Sequence, residues 1–203
     1  MNKILLLFIF VFFVSSCDQH PKLEYAFSRK EIASNMLLKR VAVQLKKDNA
    51  LIAIGTGGGM MRQIHMLALS FEYRRPIRAC EGRELLMTAV NALLSEINTD
   101  EEIRSYLIHY PFLPKDIEIR IFLTNPDRSD VACGELSILS SLNGKFEYDI
   151  RDSQTMRLVT AYQETYAEAL NRIEVHSTEP QELVSPVSQP PVPQDPRIRI
   201  GFS

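Results

Sequence analysis

The chain has 203 residues, 45% of them hydrophobic, and it carries a formal net charge of −2 at pH 7. This length and composition favour one folded domain with a proper core over two domains. The slightly acidic balance argues against a general nucleic-acid binder, because such proteins present a basic stripe to the phosphates.

The amino terminus has the layout of a signal peptide. Lys3 gives a positive start, an unbroken apolar run fills residues 4–14, and two serines precede Cys17. A membrane-spanning helix needs about 20 apolar residues, and this run is about half as long, so a retained signal anchor is disfavoured. An ordinary secretory cleavage site is the other alternative, but bulky Val14 fits it poorly because a small residue is usual there.

The sequence Val14-Ser15-Ser16-Cys17 resembles the lipobox of bacterial lipoproteins. The resemblance implies diacylglycerol on the Cys17 sulfur, cleavage before Cys17, and acylation of the new amino terminus, for example with palmitate. Two or three acyl chains hold a protein on a membrane almost permanently. We therefore expect a lipid-anchored envelope protein on the cell membrane or the outer membrane, facing the periplasm or the exterior. Asp18 resembles the signal that retains enterobacterial lipoproteins in the inner membrane.

The organisation predicted from the chain has four parts. Residues 1–16 form the signal peptide, and residues 17–27 form the lipidated cysteine and a polar tether, which spans at most about 35 Å when extended. Residues 28–176 form the globular domain. Residues 177–203 are rich in proline, serine and glutamine, which predicts an extended or disordered tail that cannot build a core.

Local patterns predict the elements of the domain in chain order. A capping box at Ser28 and Glu31 begins a helix over 29–47. A short strand over 51–54, a glycine turn at 55–59 and a strand over 63–73 form a hairpin, whose second strand has two apolar faces and is expected to be covered on both. The remaining elements are a helix over 80–97, a short helix begun by Thr99-Asp100-Glu101-Glu102, strands over 117–124, 136–138, 145–151 and 156–161, and a helix over 164–174.

Asn143-Gly144 is the strongest hairpin signal, because both turn positions of a tight hairpin favour positive φ. Hairpin connections predict a mostly antiparallel sheet, and the helices then cover one of its faces. The fold class expected is therefore α+β, with a sheet of about five strands.

Two groups of residues suggest a ligand site. Gly57 and Gly58 belong to a glycine run that follows a strand, and such loops let backbone amides approach a phosphate. The run lacks the rest of the dinucleotide and phosphate-loop patterns, so a flexible turn or bulge is the plainer interpretation. Arg74 and Arg75, with Arg78 and Arg83 nearby, could bind carboxylates, phosphates or lipid headgroups, or could form a solvated rim paired with glutamates.

The remaining candidate residues carry weaker signals. Cys80 and Cys133 form a possible disulfide in this compartment or remain free thiols. The four histidines have no metal-ligand spacing, so no metal and no cofactor is predicted. An aromatic cluster could bind a sugar or peptide or could simply pack a helix end; it contains Tyr106, His109, Tyr110 and Phe112.

The sequence favours a binding role over a catalytic one. We expect a membrane-anchored accessory or assembly protein of the envelope, with the membrane contacted through the lipid on Cys17. A partner protein could read the Pro-rich tail, and the alternating segment at 197–202 could add to a sheet edge. The alternative is an envelope enzyme that acts near residues 55–59 and Arg74, Arg75 and Arg78.

Overall fold

The computed structural model describes residues 28–178. The predictions for the signal peptide, lipidated Cys17, the tether and nearly all of the Pro-rich tail lie outside the described residues.

The described residues form one layer of helices on one six-stranded sheet, which confirms the α+β prediction. The strands lie in chain order, and all neighbours are antiparallel except β2 and β3. They are β1 (Ile52–Gly59), β2 (Met66–Tyr73), β3 (Ile117–Leu123), β4 (Leu136–Leu142), β5 (Lys145–Arg151) and β6 (Leu158–Thr165). The helices are α1 (Arg29–Asn49), α2 (Ala79–Thr99), the one-turn α3 (Glu101–Arg104) and α4 (Tyr166–Thr178).

The parallel pairing of β2 with β3 follows from the chain that connects them. Strands joined by a tight turn are antiparallel, whereas parallel neighbours need a long crossover. The crossover here contains α2 and α3, and it places Leu67 beside Ile117 and Tyr73 beside Leu123. Because α2 lies on the same face as α1 and α4, the three longer helices form a single layer.

Local sequence determines where α1 begins. Ser28 is the N-cap residue, its backbone amide donates to Glu31 Oε2 at 2.6 Å, and its hydroxyl accepts from the Glu31 amide at 3.4 Å. Both bonds of the predicted capping box are present, so two amides of the first turn are satisfied. The helix buries one stripe against the sheet and α2, which consists of Ala33, Ser34, Leu37, Leu38, Val41 and Leu45.

The core lies between the helices and one face of the sheet. β3 alternates, with Ile119 and Ile121 fully buried beneath the helices and Arg120 exposed on the other side. We call that other side the open face. No helix covers it among the described residues, so the expectation that the strand over 63–73 is covered on both faces is wrong. Small side chains such as Ala68 and Ser70 occupy the open face of β2 and are only half-buried there.

The glycine run does not form the predicted hairpin tip. β1 continues through Gly59, which pairs with Met66, and residues 60–65 make the connection. A side chain on Gly59 would collide with the His65 ring, since an ideal Cβ lies 2.1 Å from His65 Nε2. At Gly58 an added Cβ would lie 2.9 Å from the carbonyl oxygen of Met66. Gly58 is therefore required by close packing, because the backbone atom that it meets cannot move aside. The exposed His65 ring, in contrast, can rotate away from a side chain at position 59.

The second predicted hairpin turn is confirmed. Asn143 has φ 52° and Gly144 has φ 75°, the positive values that a tight two-residue turn requires, and they join β4 to β5. The last predicted strand is real but lies later than expected, and it ends where α4 begins.

Candidate interaction surface

The structure separates the two groups that were predicted to share a ligand site. Gly57 pairs with Ala68 and Gly58 with Leu67, at the start of β2, whereas Arg74 and Arg75 directly follow its last residue. Six residues of extended strand separate the two groups, a distance of about 20 Å. One small ligand cannot contact both groups.

The arginines at the start of α2 have separate partners. Arg74 lies 2.9 Å from Glu72, and the Arg75 guanidinium lies 5.6 Å from the centre of the Tyr73 ring. The Arg78 amide donates to Glu81 at 3.0 Å, and this bond is the main cause that lowers the pKa of Glu81.

A pocket of about 310 Å³ lies beside this corner of the fold. Arg75 lines it together with Glu81, Glu84 and Tyr73. Because two carboxylates share the pocket with one guanidinium, its charge does not favour an anion.

The cysteines do not form the possible disulfide. Both are free thiols: Cys80 is partly buried at the start of α2, and Cys133 is exposed in the loop before β4. The Cys133 sulfur lies 3.8 Å from the sulfur of Met156 instead.

The aromatic cluster packs the end of α2. The Asn98 side chain accepts from the Phe112 amide at 2.8 Å and donates to the Phe112 carbonyl at 3.0 Å. Tyr110 donates to the Asn98 carbonyl at 3.1 Å, and His109 contacts Asp116 at 2.9 Å. These bonds satisfy backbone groups at a helix end, so this cluster offers few unused polar groups to a ligand. Across residues 28–178, no group of three or more His, Cys, Asp and Glu side chains could hold a metal ion.

A charged cluster forms around the buried carboxylate of Glu164 on β6. Glu164 is 4% exposed, and four donor groups from other side chains surround its carboxylate. Oε1 accepts from the Tyr148 hydroxyl and from Arg83 Nε, both at 2.6 Å, while Oε2 lies 3.3 Å from the Tyr162 hydroxyl and 3.3 Å from Arg172 Nε. We call these five residues the Glu164 cluster.

The Glu164 cluster joins four elements of the fold. Arg83 comes from α2, Tyr148 from β5, Arg172 from α4, and Tyr162 and Glu164 from β6. A buried carboxylate is costly unless it is paired and hydrogen-bonded, and here both oxygens have a charged and a neutral donor. The outermost strand is thereby fastened to the helix layer and to its neighbour.

The electrostatics of the cluster follow from burial and from the carboxylate. Burial alone lowers the pKa of Arg83, but the hydrogen bond and negative charge of Glu164 outweigh it, and the net shift is upward. Burial, the hydrogen bond to Glu164 and its charge all raise the pKa of the Tyr148 phenol well above its usual value. The cluster therefore holds a charged guanidinium and a neutral phenol at pH 7.

The outer edge of β6 is apolar and unpaired. β6 is the last strand of the sheet and pairs only with β5 among the residues that the structure describes. Leu158, Val159 and Tyr162 are large hydrophobic residues that remain 37% to 46% exposed there, and Met156 is 57% exposed in the turn before the strand. We call these four residues the apolar edge. Its strand has one charged residue, Glu164, and that side chain is buried.

Sequence patterns did not reveal this surface. The strand was predicted to end at 161, and Glu164 was assigned to the following helix. Glu164 is the only buried residue of β6, so no alternation of buried and exposed positions marks the strand. The partners of Glu164 lie 16 and 81 residues away, at Tyr148 and Arg83, and no local pattern connects them.

Within the described part of the chain, no helix is both long and apolar enough to cross a membrane. No protein-family model, no curated protein and no solved structure matches this chain.

Proposed function

We propose that this protein is a lipid-anchored envelope lipoprotein whose domain binds an extended segment of a partner protein along β6. The apolar edge is the observation that supports the proposal. An unpaired edge strand offers a row of amides and carbonyls to another strand, and natural proteins usually protect such an edge with charges or proline. The exposed positions of β6 carry neither.

The chemistry of the partner segment follows from this surface. Main-chain hydrogen bonds to β6 supply affinity without regard to sequence, and alternate side chains supply specificity. Val159 and Tyr162 lie on the helix side of the sheet, while Leu158 lies on the open face. A segment with apolar side chains at alternate positions therefore fits better than a charged one.

The Glu164 cluster supports this role because it holds β6 rigid. A binding strand that is already ordered does not lose conformational entropy when the partner docks. Tyr162 belongs both to the apolar edge and to the cluster, since its hydroxyl contacts Glu164 and its ring lies 5.4 Å from the Arg172 guanidinium. We expect cluster variants to weaken binding without touching the partner.

Site-specific photocrosslinking in intact cells tests the binding role. A photoreactive amino acid at Leu158 should capture a defined envelope protein, and Val159→Lys should abolish the capture. Ile54 on β1 is the matched control, because it is 55% exposed at the opposite edge of the same sheet. A probe at Ile54 should not capture that protein, and Ile54→Lys should leave capture at Leu158 intact. Equal capture from both edges, or none from Leu158, would contradict the proposal.

The anchor is tested separately. Mass spectrometry of the mature amino terminus should find Cys17 as the first residue and carrying the mass of diacylglycerol and an acyl chain. Cys17→Ser should release the protein from membranes. Cleavage elsewhere, or an unmodified Cys17, would overturn the tether and leave the β6 proposal standing.

A further inference from the structure

One long face of α1 is exposed among residues 28–178 and is both apolar and basic. Ile32, Met36 and Val43 are 48%, 58% and 61% exposed, and they lie opposite the stripe that packs on the sheet. They extend over about 16 Å of the helix, and Lys39 and Lys47 lie between and beyond them on the same side. We call these five residues the basic helix face.

The charge of α1 differs from that of the chain. The helix contains six basic and two acidic residues, although the chain has a net charge of −2. Arg40 is bound to Glu96 and Asp100 of the neighbouring elements. Lys39, Lys46 and Lys47 are exposed, and they outnumber Asp48, the acidic residue that lines the same surface.

The connection between β1 and β2 contacts the start of α1 on the side of its buried stripe. Met61 is 90% exposed, and exposed Arg62 follows it. Lys30 in the first turn of α1 donates to the carbonyl oxygens of both residues, so the connection is tied to the start of the helix. Met61 and Arg62 are therefore not part of the basic helix face.

We propose that the basic helix face rests on an anionic phospholipid bilayer. Helices that lie in a membrane interface have an apolar face flanked by lysine and arginine, whose long side chains reach the headgroups. Charge complementarity selects anionic lipid, because each basic side chain near such a surface is attracted to it. The shallow, elongated apolar strip suits a fluid interface.

This contact would orient the whole domain. Because α1 belongs to the helix layer, the bilayer would lie on the helix side, and the open face of the sheet would be turned away from it. α1 contacts β1 and β2, whereas β6 lies at the other edge, five strand spacings or about 24 Å away. The apolar edge would then remain accessible to a partner. The inference requires neither the lipid on Cys17 nor binding along β6.

Single-tryptophan fluorescence tests the contact, because the chain contains no tryptophan. The full-length Val43→Trp protein is reconstituted in vesicles of phosphatidylcholine, alone or with phosphatidylglycerol, and quenching by brominated lipid is measured. We expect a blue shift and strong quenching only with phosphatidylglycerol, both lost in 1 M salt because the Debye length falls to about 3 Å. The control reporter Arg120→Trp, which lies on the open face, should show neither response.

A charge reversal separates this contact from simple tethering. Lys39→Glu with Lys47→Glu should reduce the quenching of Trp at 43 to its value in pure phosphatidylcholine. Quenching of equal strength with and without phosphatidylglycerol, or quenching that persists in the Lys39→Glu, Lys47→Glu variant, would overturn the proposal. So would a blue shift that depends on protein density in the vesicle, which would indicate contact with a second copy. Crosslinking at Leu158 is unaffected by these outcomes.

Discussion

Replacing Glu164 with glutamine removes the charge at the centre of the Glu164 cluster and nearly preserves the side-chain volume. The carboxylate accepts from Tyr148, Tyr162, Arg83 and Arg172. An amide has one oxygen, and its NH₂ group can only donate. A guanidinium cannot accept a hydrogen bond. If the amide NH₂ faces either arginine, donors on both groups are therefore left without an acceptor.

The cost follows from the burial of the group that loses its counter-charge. Removing one member of a buried ion pair costs about 3–5 kcal/mol, because the other charge is left uncompensated. The Arg83 side chain is 11% exposed and keeps a little water, so we expect about 3 kcal/mol, at the lower end of that range. For a domain of this size, such a loss lowers Tm by about 6–12 °C.

Urea unfolding followed by circular dichroism measures this cost. Glu147→Gln is the matched control, because Glu147 accepts one bond from the exposed amide of Gln163 at 3.0 Å and should lose less than about 1 kcal/mol. A loss at Glu164 no larger than at Glu147 would refute the reasoning. The double variant Arg83→Met with Glu164→Leu should cost less than the sum of its single changes, because the uncompensated charge is then absent.

Three further predictions concern other parts of the fold. Gly58→Ala should lower the free energy of unfolding by more than about 1 kcal/mol, because its Cβ would lie 2.9 Å from the Met66 carbonyl oxygen. Gly59→Ala should cost less, because the exposed His65 ring can rotate away, and a loss at Gly59 as large as at Gly58 would contradict this argument. Burial raises the pKa of Asp100, but hydrogen bonds from two backbone amides of α3 and from Arg40 lower it more, so the net shift is downward. The ionised Asp100 side chain therefore stabilises the fold above about pH 4, and this contribution is lost as the pH falls further. Asp100→Asn keeps an N-cap residue, and its unfolding midpoint should change less than the wild type's between pH 5 and pH 2.5. Tyr148→Phe should lower the free energy of unfolding by about 1–2 kcal/mol at pH 7. Because folding raises the pKa of this phenol, the wild type should lose stability above about pH 10 more steeply than the variant.

Much of the fold could be predicted because its signals are local. The Ser28 and Glu31 pair begins α1 as expected, and Asn143 and Gly144 form the expected turn. The alternation of isoleucines in β3 identified its buried face. Each of these signals involves residues a few positions apart, whose geometry is set by backbone stereochemistry and by the periods of helix and strand.

The candidate sites could be predicted only in part, because they depend on contacts between distant residues. Gly57 and Arg75 were recognised as chemically interesting, but the length of β2 separates them. Gly58 is required by the carbonyl oxygen of Met66 on the paired strand, and a glycine-rich sequence does not distinguish that requirement from ligand binding. Arg83 was grouped with its sequence neighbours, whereas its partner Glu164 is 81 residues away.

By itself, the sequence determined the order and type of most elements and the α+β class, because hydrophobic period and capping chemistry act over a few residues. It also carries the lipobox-like motif around Cys17, from which the anchoring proposal comes. Only the tertiary structure decided that β2 and β3 pair in parallel, which strands lie at the edges, and that Glu164 joins α2, β5 and α4. The physical reason is that edge positions and buried charge pairs arise from the packing of distant segments, which no local pattern records.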